Sequence, residues 1–188
     1  MSKIGKLFFC DCETTDLPDN DPEAEIIEIA CAILDVETWR VSGEWSTLVR
    51  HSRPYGDLTA ATFSKVNFGN ALDLDLAVAG LFRRWRESGG AWIGQNPDFD
   101  RGMLRPAARS CGVPWPHKPE VDYHVFDVAS MMLPYLVRGE VGGVGLKTTR
   151  VWAGCQGEQS HRAMGDVRDT IRVFSKIMGA QPDALPGY

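Results

Sequence analysis

Residues 6–17, KLFFCDCETTDL, and residues 25–36, EIIEIACAILDV, carry the features that decide the fold of this chain. Each contains a run of large apolar residues about as long as a buried β-strand. The residues between the two runs are acidic and include two prolines, which predicts a loop. We therefore expect two consecutive strands of one sheet near the start of the chain.

Residues 40–50, RVSGEWSTLVR, alternate between apolar and polar side chains, which is the pattern of a third strand. Only residues 37–39 separate this stretch from the second strand, so an antiparallel arrangement of the three strands is the simplest. Residues 91–95 and residues 121–128 predict two further strands.

Helices are predicted between and after these strands from the spacing of apolar residues. They cover residues 60–66, 72–87, 97–112, 127–137, 146–154 and 161–179. Three early strands followed by alternating helix and strand indicate an α/β fold, with a mixed five-stranded sheet flanked by helices. The sequence has no internal repeat, so we expect one domain over residues 1–178 and a tail over residues 179–188.

The composition is that of a globular protein with one core: of 188 residues, 44% are hydrophobic and 24% are charged. The five cysteines lack the C-x₂-C spacing of a zinc site and fit reduced thiols in the core of a cytoplasmic protein. Because no apolar run is as long as a membrane span, we expect no membrane partner.

The net charge of −5 argues against a protein that coats nucleic acid through bulk electrostatics, because such binding needs many Lys and Arg side chains. A metal-dependent enzyme is compatible with this charge. If bound divalent cations contact the phosphates, the protein must supply carboxylates to hold those cations.

Asp11 and Glu13 are two residues apart on the first predicted strand, so their carboxylates project from the same face. Two ionised carboxylates repel each other, and burying both is unfavourable unless a cation compensates. Mg²⁺ and Mn²⁺ prefer such oxygen ligands. The alternative is that both acids lie on a solvated end of the strand.

Two later segments carry further acids and a histidine. Asp100 lies near the predicted start of a helix, where it could either bind a metal or cap the helix. His161 and Asp166 would diverge by about 140° on one continuous helix, so they can share a site only if His161 lies in the preceding loop or the first turn. Asp166 would then point inward, and Arg162 and Asp169 would remain free for surface pairs.

The order Asp-x-Glu, Asn-x-x-Phe-Asp and His-x₄-Asp, at residues 11–13, 96–100 and 161–166, resembles the three signature segments of the DEDDh 3′→5′ exonucleases. This family, in the ribonuclease H-like superfamily, includes the proofreading subunit of bacterial replicases, ribonuclease T and oligoribonuclease. The resemblance extends over the whole chain and implies the ribonuclease H-like fold. Three segments in the same order are far more specific than any single motif.

The resemblance implies a 3′→5′ exonuclease that uses two divalent cations, Mg²⁺ or Mn²⁺. Its partner would be nucleic acid with a free 3′ end, and its products nucleoside 5′-monophosphates. Asp11, Glu13 and Asp166 would hold one cation directly, and Asp11 would also contact the second. Asp100 would support the second cation through water. His161 would accept the proton of the attacking water, a role for which an imidazole is suited.

The same resemblance implies a set of substrate contacts. Thr14 and Thr15 match the turn whose backbone meets the last nucleotide, and Leu17 matches a residue that wedges against the terminal bases. Asn96 matches the polar residue that opens the second segment. Phe99 would lie beside the site, either as a core anchor or as a platform for a base.

Two positions depart from the family pattern. Asp16 stands where the family often has Gly, which adds negative charge near the nucleotide pocket, and Gln95 replaces a frequent His. Both departures bear on substrate preference rather than on activity.

The sequence leaves several questions open. It does not distinguish DNA from RNA, proofreading from end trimming or scavenging of oligonucleotides, or a polymerase partner from a homodimer. Two rival classes also remain: a catalytically silent nucleic-acid-binding or scaffold module of the same fold, and a protein whose acids bind Ca²⁺ or Mg²⁺ for structural reasons.

Overall fold

Five strands form one mixed sheet in the computed structural model, which describes residues 4–180. The strands are β1 (Lys6–Thr14), β2 (Ile26–Asp35), β3 (Val41–Leu48), β4 (Ala91–Gly94) and β5 (Val125–Asp127). Their order across the sheet is β3-β2-β1-β4-β5. The first three strands pair antiparallel, and β4 lies parallel to both β1 and β5. The predicted mixed five-stranded sheet is therefore confirmed.

Within residues 4–180, seven helices flank this sheet. They are α1 (Asp57–Phe63), α2 (Leu74–Ser88), α3 (Pro97–Ser110), α4 (Val128–Met131), α5 (Leu133–Val137), α6 (Leu146–Ala153) and α7 (Ala163–Ile177). One apolar layer of the core joins the sheet to α4, α6 and α7, and a second joins the opposite face to α2 and α3.

The central strand β1 contributes to both apolar layers because successive side chains of a strand point to opposite faces. Phe9 packs edge-to-face against Phe174 of α7, with the ring centroids 5.8 Å apart. Phe8 packs on the other face against Trp85 of α2 and Trp92 of β4. Because α7 and α3 both contact β1, the end of this strand lies between them.

Several element boundaries differ from the sequence-based expectation, and three of the differences have a clear description. The helix predicted over residues 127–137 is divided into α4 and α5, because Pro134 lacks the N–H that a continuous helix needs. The strand predicted over residues 121–128 is shorter, because the Asp122 side chain accepts the N–H of His124 and holds a turn before β5. The first helix begins at Asp57, three residues earlier than expected.

Cys10, Cys12 and Cys31 lie as buried free thiols in the layer that packs on α2 and α3, as expected for core residues. Of the helices in residues 4–180, none combines the length and the hydropathy needed to cross a membrane. Most of the predicted tail, residues 181–188, lies outside the described residues.

Candidate active site

Three of the acids singled out in the sequence come together at the end of β1. Asp11 and Glu13 lie two residues apart on the strand, and Asp166 lies in the first turn of α7. Each offers a carboxylate oxygen, and these oxygens all lie within 4.8 Å of one another. The apolar stripe of α7 packs on β1 and β2, so the first turn of the helix faces this end of the strand.

Asp100 is buried beside this group, at only 2% exposure. Its Oδ1 accepts a 2.8 Å hydrogen bond from the backbone N–H of Cys12. The carboxylate therefore fastens α3 to β1, which the alternative of a simple helix cap does not explain. Asp100 stands next to the three clustered acids rather than among them.

Burial and mutual repulsion disfavour the ionised forms of these acids. Burial, followed by repulsion from Asp100 and Glu13, raises the pKa of Asp11 well above its usual range. Burial also raises the pKa of Asp100 well above its usual range, against the hydrogen bond from Cys12. Burial raises the pKa of Glu13 to about 7, and repulsion from Asp166 and Glu28 acts in the same direction.

Within residues 4–180, Asp166 is the clustered acid that has a buried carboxylate oxygen without a hydrogen-bond partner. Burial raises its pKa to about 6, although a hydrogen bond from Gln159 acts in the opposite direction. Gln159 Nε2 donates to Oδ2 of Asp166 at 2.8 Å, whereas the buried Oδ1 has no hydrogen-bond partner among the described residues. A divalent cation would offset the clustered charge and fill this acceptor, so the donor set fits Mg²⁺ or Mn²⁺.

His161 precedes α7, as its spacing from Asp166 requires. Its backbone is in the left-handed region, with φ of 47°, and α7 begins at Ala163. The exposed side chain of His161 lines a pocket of about 400 Å³ together with Glu13. The histidine therefore shares a pocket with Glu13, one of the three clustered acids.

The predicted substrate contacts divide into two sets. Thr14, Leu17 and Phe99 line the same pocket as His161, and the Leu17 side chain is 49% exposed there. Thr15 is buried, and its hydroxyl accepts the N–H of Glu25 at 2.9 Å, so any contact with a nucleotide would come from its backbone, as predicted.

Asn96 lies apart from the acid cluster. It is exposed, and it lines a separate cleft of about 280 Å³ with Asp127. Its backbone N–H donates to Oδ1 of Asp127 at 2.9 Å, so the described contact of Asn96 holds the start of α3 against β5.

The two departures from the family pattern have structural partners. Oδ1 of Asp16 accepts the N–H of Leu17 at 2.7 Å and the side-chain amide of Asn20 at 3.0 Å, so it orders the turn that carries Leu17. Gln95 Nε2 donates to the carbonyl of Val144 at 2.7 Å, which ties the end of β4 to the segment before α6.

Two residues near the site were expected elsewhere. Asp169 was expected on the surface, but it is buried at 1% exposure and pairs with the equally buried Arg150 at 2.5 Å. Arg162 was expected in a surface pair, but it binds the buried Glu28 of β2 through two hydrogen bonds. One signal in the sequence was available: Glu28 is a charged residue inside an apolar strand, where burial requires a partner.

Comparisons with known proteins show the family to which the chain belongs. The exonuclease family model RNase_T matches residues 8–174. A Mycobacterium tuberculosis protein named as a bifunctional exonuclease/endonuclease is 30% identical over 142 residues, which cover 73% of this chain and 21% of that protein. The present chain thus spans about a fifth of the length of this relative.

Solved structures share the fold. Escherichia coli exonuclease I, in a zinc-bound complex with single-stranded DNA, superposes with a TM-score of 0.74 at 17% identity, over 96% of this chain and 42% of that one. A 3′-exonuclease that recognises a histone mRNA stem-loop gives a TM-score of 0.70 at 15% identity, over 95% of this chain and 84% of that one. With the family match over most of its length, the chain belongs to the exonuclease family of the DEDDh type, as its three signature segments indicate.

Proposed function

We propose that the chain is a two-metal-ion 3′→5′ exonuclease that hydrolyses phosphodiester bonds from the 3′ end of nucleic acid and releases nucleoside 5′-monophosphates. One observation carries the proposal: carboxylate oxygens of Asp11, Glu13 and Asp166 lie within 4.8 Å of one another. A fourth acid, Asp100, is buried beside them. Such a cluster is unfavourable without cations and suited to holding them.

Asp11, Glu13 and Asp166 would hold one cation, and Asp11 with Asp100 would support the second. When bound, the two cations supply positive charge that polarises the scissile phosphate and stabilises the departing 3′ oxygen. Gln159 keeps the Asp166 carboxylate oriented through its hydrogen bond to Oδ2. The acids are thus placed before the cations arrive, which lowers the cost of organising the site.

His161 is the proposed general base. It is exposed and lines the same pocket as Glu13, so the imidazole can contact a water that approaches the phosphate from solvent. The imidazole would accept the proton of that water as the new bond to phosphorus forms. Leu17 and Phe99 offer apolar surface to the bases at the 3′ end, and such contacts tolerate any base sequence.

Single strands or frayed ends should be the preferred form of the substrate, because a wedge acts only on a terminus that can unstack. The structure of exonuclease I has been solved with single-stranded DNA, and the similar 3′-exonuclease recognises a histone mRNA stem-loop. Matched DNA and RNA oligomers are therefore the appropriate first substrates.

The test is degradation of oligomers labelled at the 3′ or the 5′ end, with EDTA and after addition of Mg²⁺ or Mn²⁺. We expect loss of activity in EDTA, its return with either cation, and mononucleotides as the first products. Internal cutting of a 3′-blocked strand at the unblocked rate would contradict the exonuclease assignment. Binding without cleavage under every metal condition would indicate the catalytically silent module.

A further inference from the structure

An ion pair between a buried carboxylate and a partly exposed guanidinium involves Arg162, the residue next to the proposed general base. Oε2 of Glu28 accepts the Nε of Arg162 at 2.8 Å, and Oε1 accepts the second guanidinium nitrogen at 2.7 Å. The same carboxylate accepts the N–H of Ala163, the first residue of α7, at 3.1 Å. The Glu28 side chain is 5% exposed and that of Arg162 is 40% exposed. One carboxylate thus holds both the side chain of Arg162 and the start of the helix.

Arg162 is the residue after His161, so the pair fixes the backbone on one side of the histidine. His161 itself has φ of 47°, a conformation that a residue with a side chain rarely adopts. Such a conformation persists only where the surroundings determine it. The ion pair restrains the backbone on the C-terminal side of His161.

On the N-terminal side of His161, the chain is held by the buried side chain of Arg150. Arg150 donates to the carbonyls of Gln156 and Gly157, at 2.9 Å and 2.7 Å, while its Nε pairs with Asp169. This anchors the segment between α6 and α7 several residues before His161. The histidine therefore sits in a segment that is attached to the core at both ends.

Glu28 is placed where a carboxylate is costly. It lies opposite Glu13 in the pairing of β1 with β2, and its charge contributes to the raised pKa values of Glu13 and Asp11. An ion pair with one partly exposed partner contributes little to stability, and apolar residues often serve equally well at the buried position. A fifth acid beside four others therefore calls for a role beyond holding the fold together.

We propose that Glu28 is a positioning residue that acts through Arg162 to hold His161 in place for its reaction. This inference rests on the proposed function, in which His161 is the general base. It assigns to the pair an effect on proton transfer that persists when the metal is saturating, and none on affinity for the nucleic acid. A misplacement of about 1 Å can cost roughly 100-fold in rate, so the effect should be measurable.

The chain offers a matched control. Glu44 of β3 binds Arg168 of α7 through two hydrogen bonds of 2.8 Å each, so it also ties the sheet to the same helix by a two-point ion pair. Neither residue lines the pocket of His161. Glu44→Gln therefore removes an anchor of the same kind without touching the segment that carries the histidine.

The experiment compares Glu28→Gln, Glu44→Gln, His161→Ala and the double variant of Glu28 and His161. Single-turnover rates, KM for an oligonucleotide and Mn²⁺ affinity are measured for each. We expect Glu28→Gln to lower the rate at saturating Mn²⁺ roughly 10- to 100-fold with unchanged KM, and to lower Mn²⁺ affinity only modestly, through the loss of one negative charge opposite Glu13. Glu44→Gln should keep the wild-type rate. The double variant should be as fast as His161→Ala alone, because the pair acts only through the histidine.

A second measurement does not depend on activity. The chain has four histidines, so the imidazole NMR signal of His161 can be identified by its loss in His161→Ala. We expect Glu28→Gln to shift or broaden this signal and Glu44→Gln to leave it unchanged. If Glu28→Gln fails to fold, Arg162→Lys breaks the same two-point pair from its more exposed side, with the same expected results.

The inference is overturned if Glu28→Gln keeps the wild-type rate, if Glu44→Gln loses as much, or if Glu28→Gln slows the His161→Ala enzyme by the same factor. The last result would place the effect of Glu28 on the metal site. An inactive wild-type protein would contradict the proposed function instead. The NMR comparison would still report whether Glu28 positions His161.

Discussion

The Asp100 carboxylate accepts the backbone N–H of Cys12 at 2.8 Å, and Cys12 lies between Asp11 and Glu13 on β1. This bond fastens the first turn of α3 to the strand that carries two of the clustered acids. Asp100 therefore has a structural role and, in the proposed mechanism, a role in supporting a cation. Substitutions at this position can separate the two roles.

Asp100→Asn keeps an oxygen that can accept the Cys12 N–H but removes the negative charge. Because burial raises the pKa of Asp100 well above its usual range, we expect the variant to be at least as stable as the wild type in EDTA. Its nuclease activity should fall by more than about 100-fold, since a cation loses a charged partner.

Asp100→Ala is the matched variant that removes both roles. It leaves the Cys12 N–H without an acceptor and should lower the free energy of unfolding by about 1–3 kcal/mol. Denaturant unfolding in EDTA and a nuclease assay on both variants make the comparison. Wild-type activity in Asp100→Asn would contradict the role in supporting a cation.

The raised pKa of Glu13 predicts how the stability of the metal-free protein depends on pH. The pKa of Glu13 is about 7 in the folded chain, against an ordinary value of 4.5. Between these values the folded state binds more protons than the unfolded state, so the contribution of Glu13 to stability declines as pH rises. Glu13→Gln cannot ionise and avoids this loss.

In EDTA, Glu13→Gln should therefore gain stability over the wild type as pH rises from about 4.5 to about 7, and the gain should level off above that range. The measurement is denaturant unfolding of both proteins across this interval. Saturating Mn²⁺ should reverse the order, because only the wild type keeps the full ligand set. A difference that does not change with pH would mean that Glu13 is ionised throughout.

Gly165 of α7 leaves room for the side chain of Ser160, the residue before His161. A Cβ at position 165 would lie 2.0 Å from Oγ of Ser160 and 3.2 Å from its Cβ. We expect Gly165→Ala to displace the segment of His161 and to lower the single-turnover rate roughly 10-fold or more. Adding Ser160→Ala removes the closer atom and should restore most of the rate, while Ser160→Ala alone should resemble the wild type. Failure of this rescue would show that the clash does not reach His161.

Much of the site follows from local sequence patterns. Asp11 and Glu13 share a face because strand side chains alternate, and Asp166 points inward because it lies on the apolar side of α7. The position of His161 in the loop or first turn follows from the angle that five residues span on a helix, provided that His161 and Asp166 share a site. These local relationships depend on a few neighbouring residues, whereas the resemblance of the three signature segments implies that the residues share a site.

The ion pairs could not be predicted in this way. Glu28 and Arg162 are 134 positions apart, and Arg150 and Asp169 are 19 apart, so only the tertiary fold shows which charges meet. The acidity of Asp169 suggested an exposed residue, but the buried Arg150 compensates its charge. Long-range contact likewise explains Asp100, whose partner on β1 is 88 residues away.

Leu17 should matter more for duplex ends than for single strands. Its side chain is 49% exposed in the pocket, where it can insert beside a terminal base. Leu17→Ala should lower the rate on blunt duplexes about 10-fold more than the rate on single strands, because the wedge offsets the cost of unstacking. Leu76→Ala, at a similarly exposed leucine of α2 outside the pocket, is the control. Equal effects of Leu17→Ala on both substrates would remove the wedge from the mechanism.

Substitution of the proposed base and substitution of a proposed metal ligand should have different effects on rate and on Mn²⁺ affinity. His161→Ala removes the group that accepts the proton of the attacking water, so we expect kcat to fall roughly 10²- to 10⁴-fold with little change in Mn²⁺ affinity. Asp11→Asn removes a ligand, so activity and Mn²⁺ affinity should fall together. Because burial and repulsion raise the pKa of Asp11 well above its usual range, Asp11→Asn should also be more stable than the wild type in EDTA. Calorimetric titration with Mn²⁺, thermal unfolding in EDTA and single-turnover rates on the three proteins test these expectations. If His161→Ala keeps wild-type turnover, the histidine is structural and another group accepts the proton.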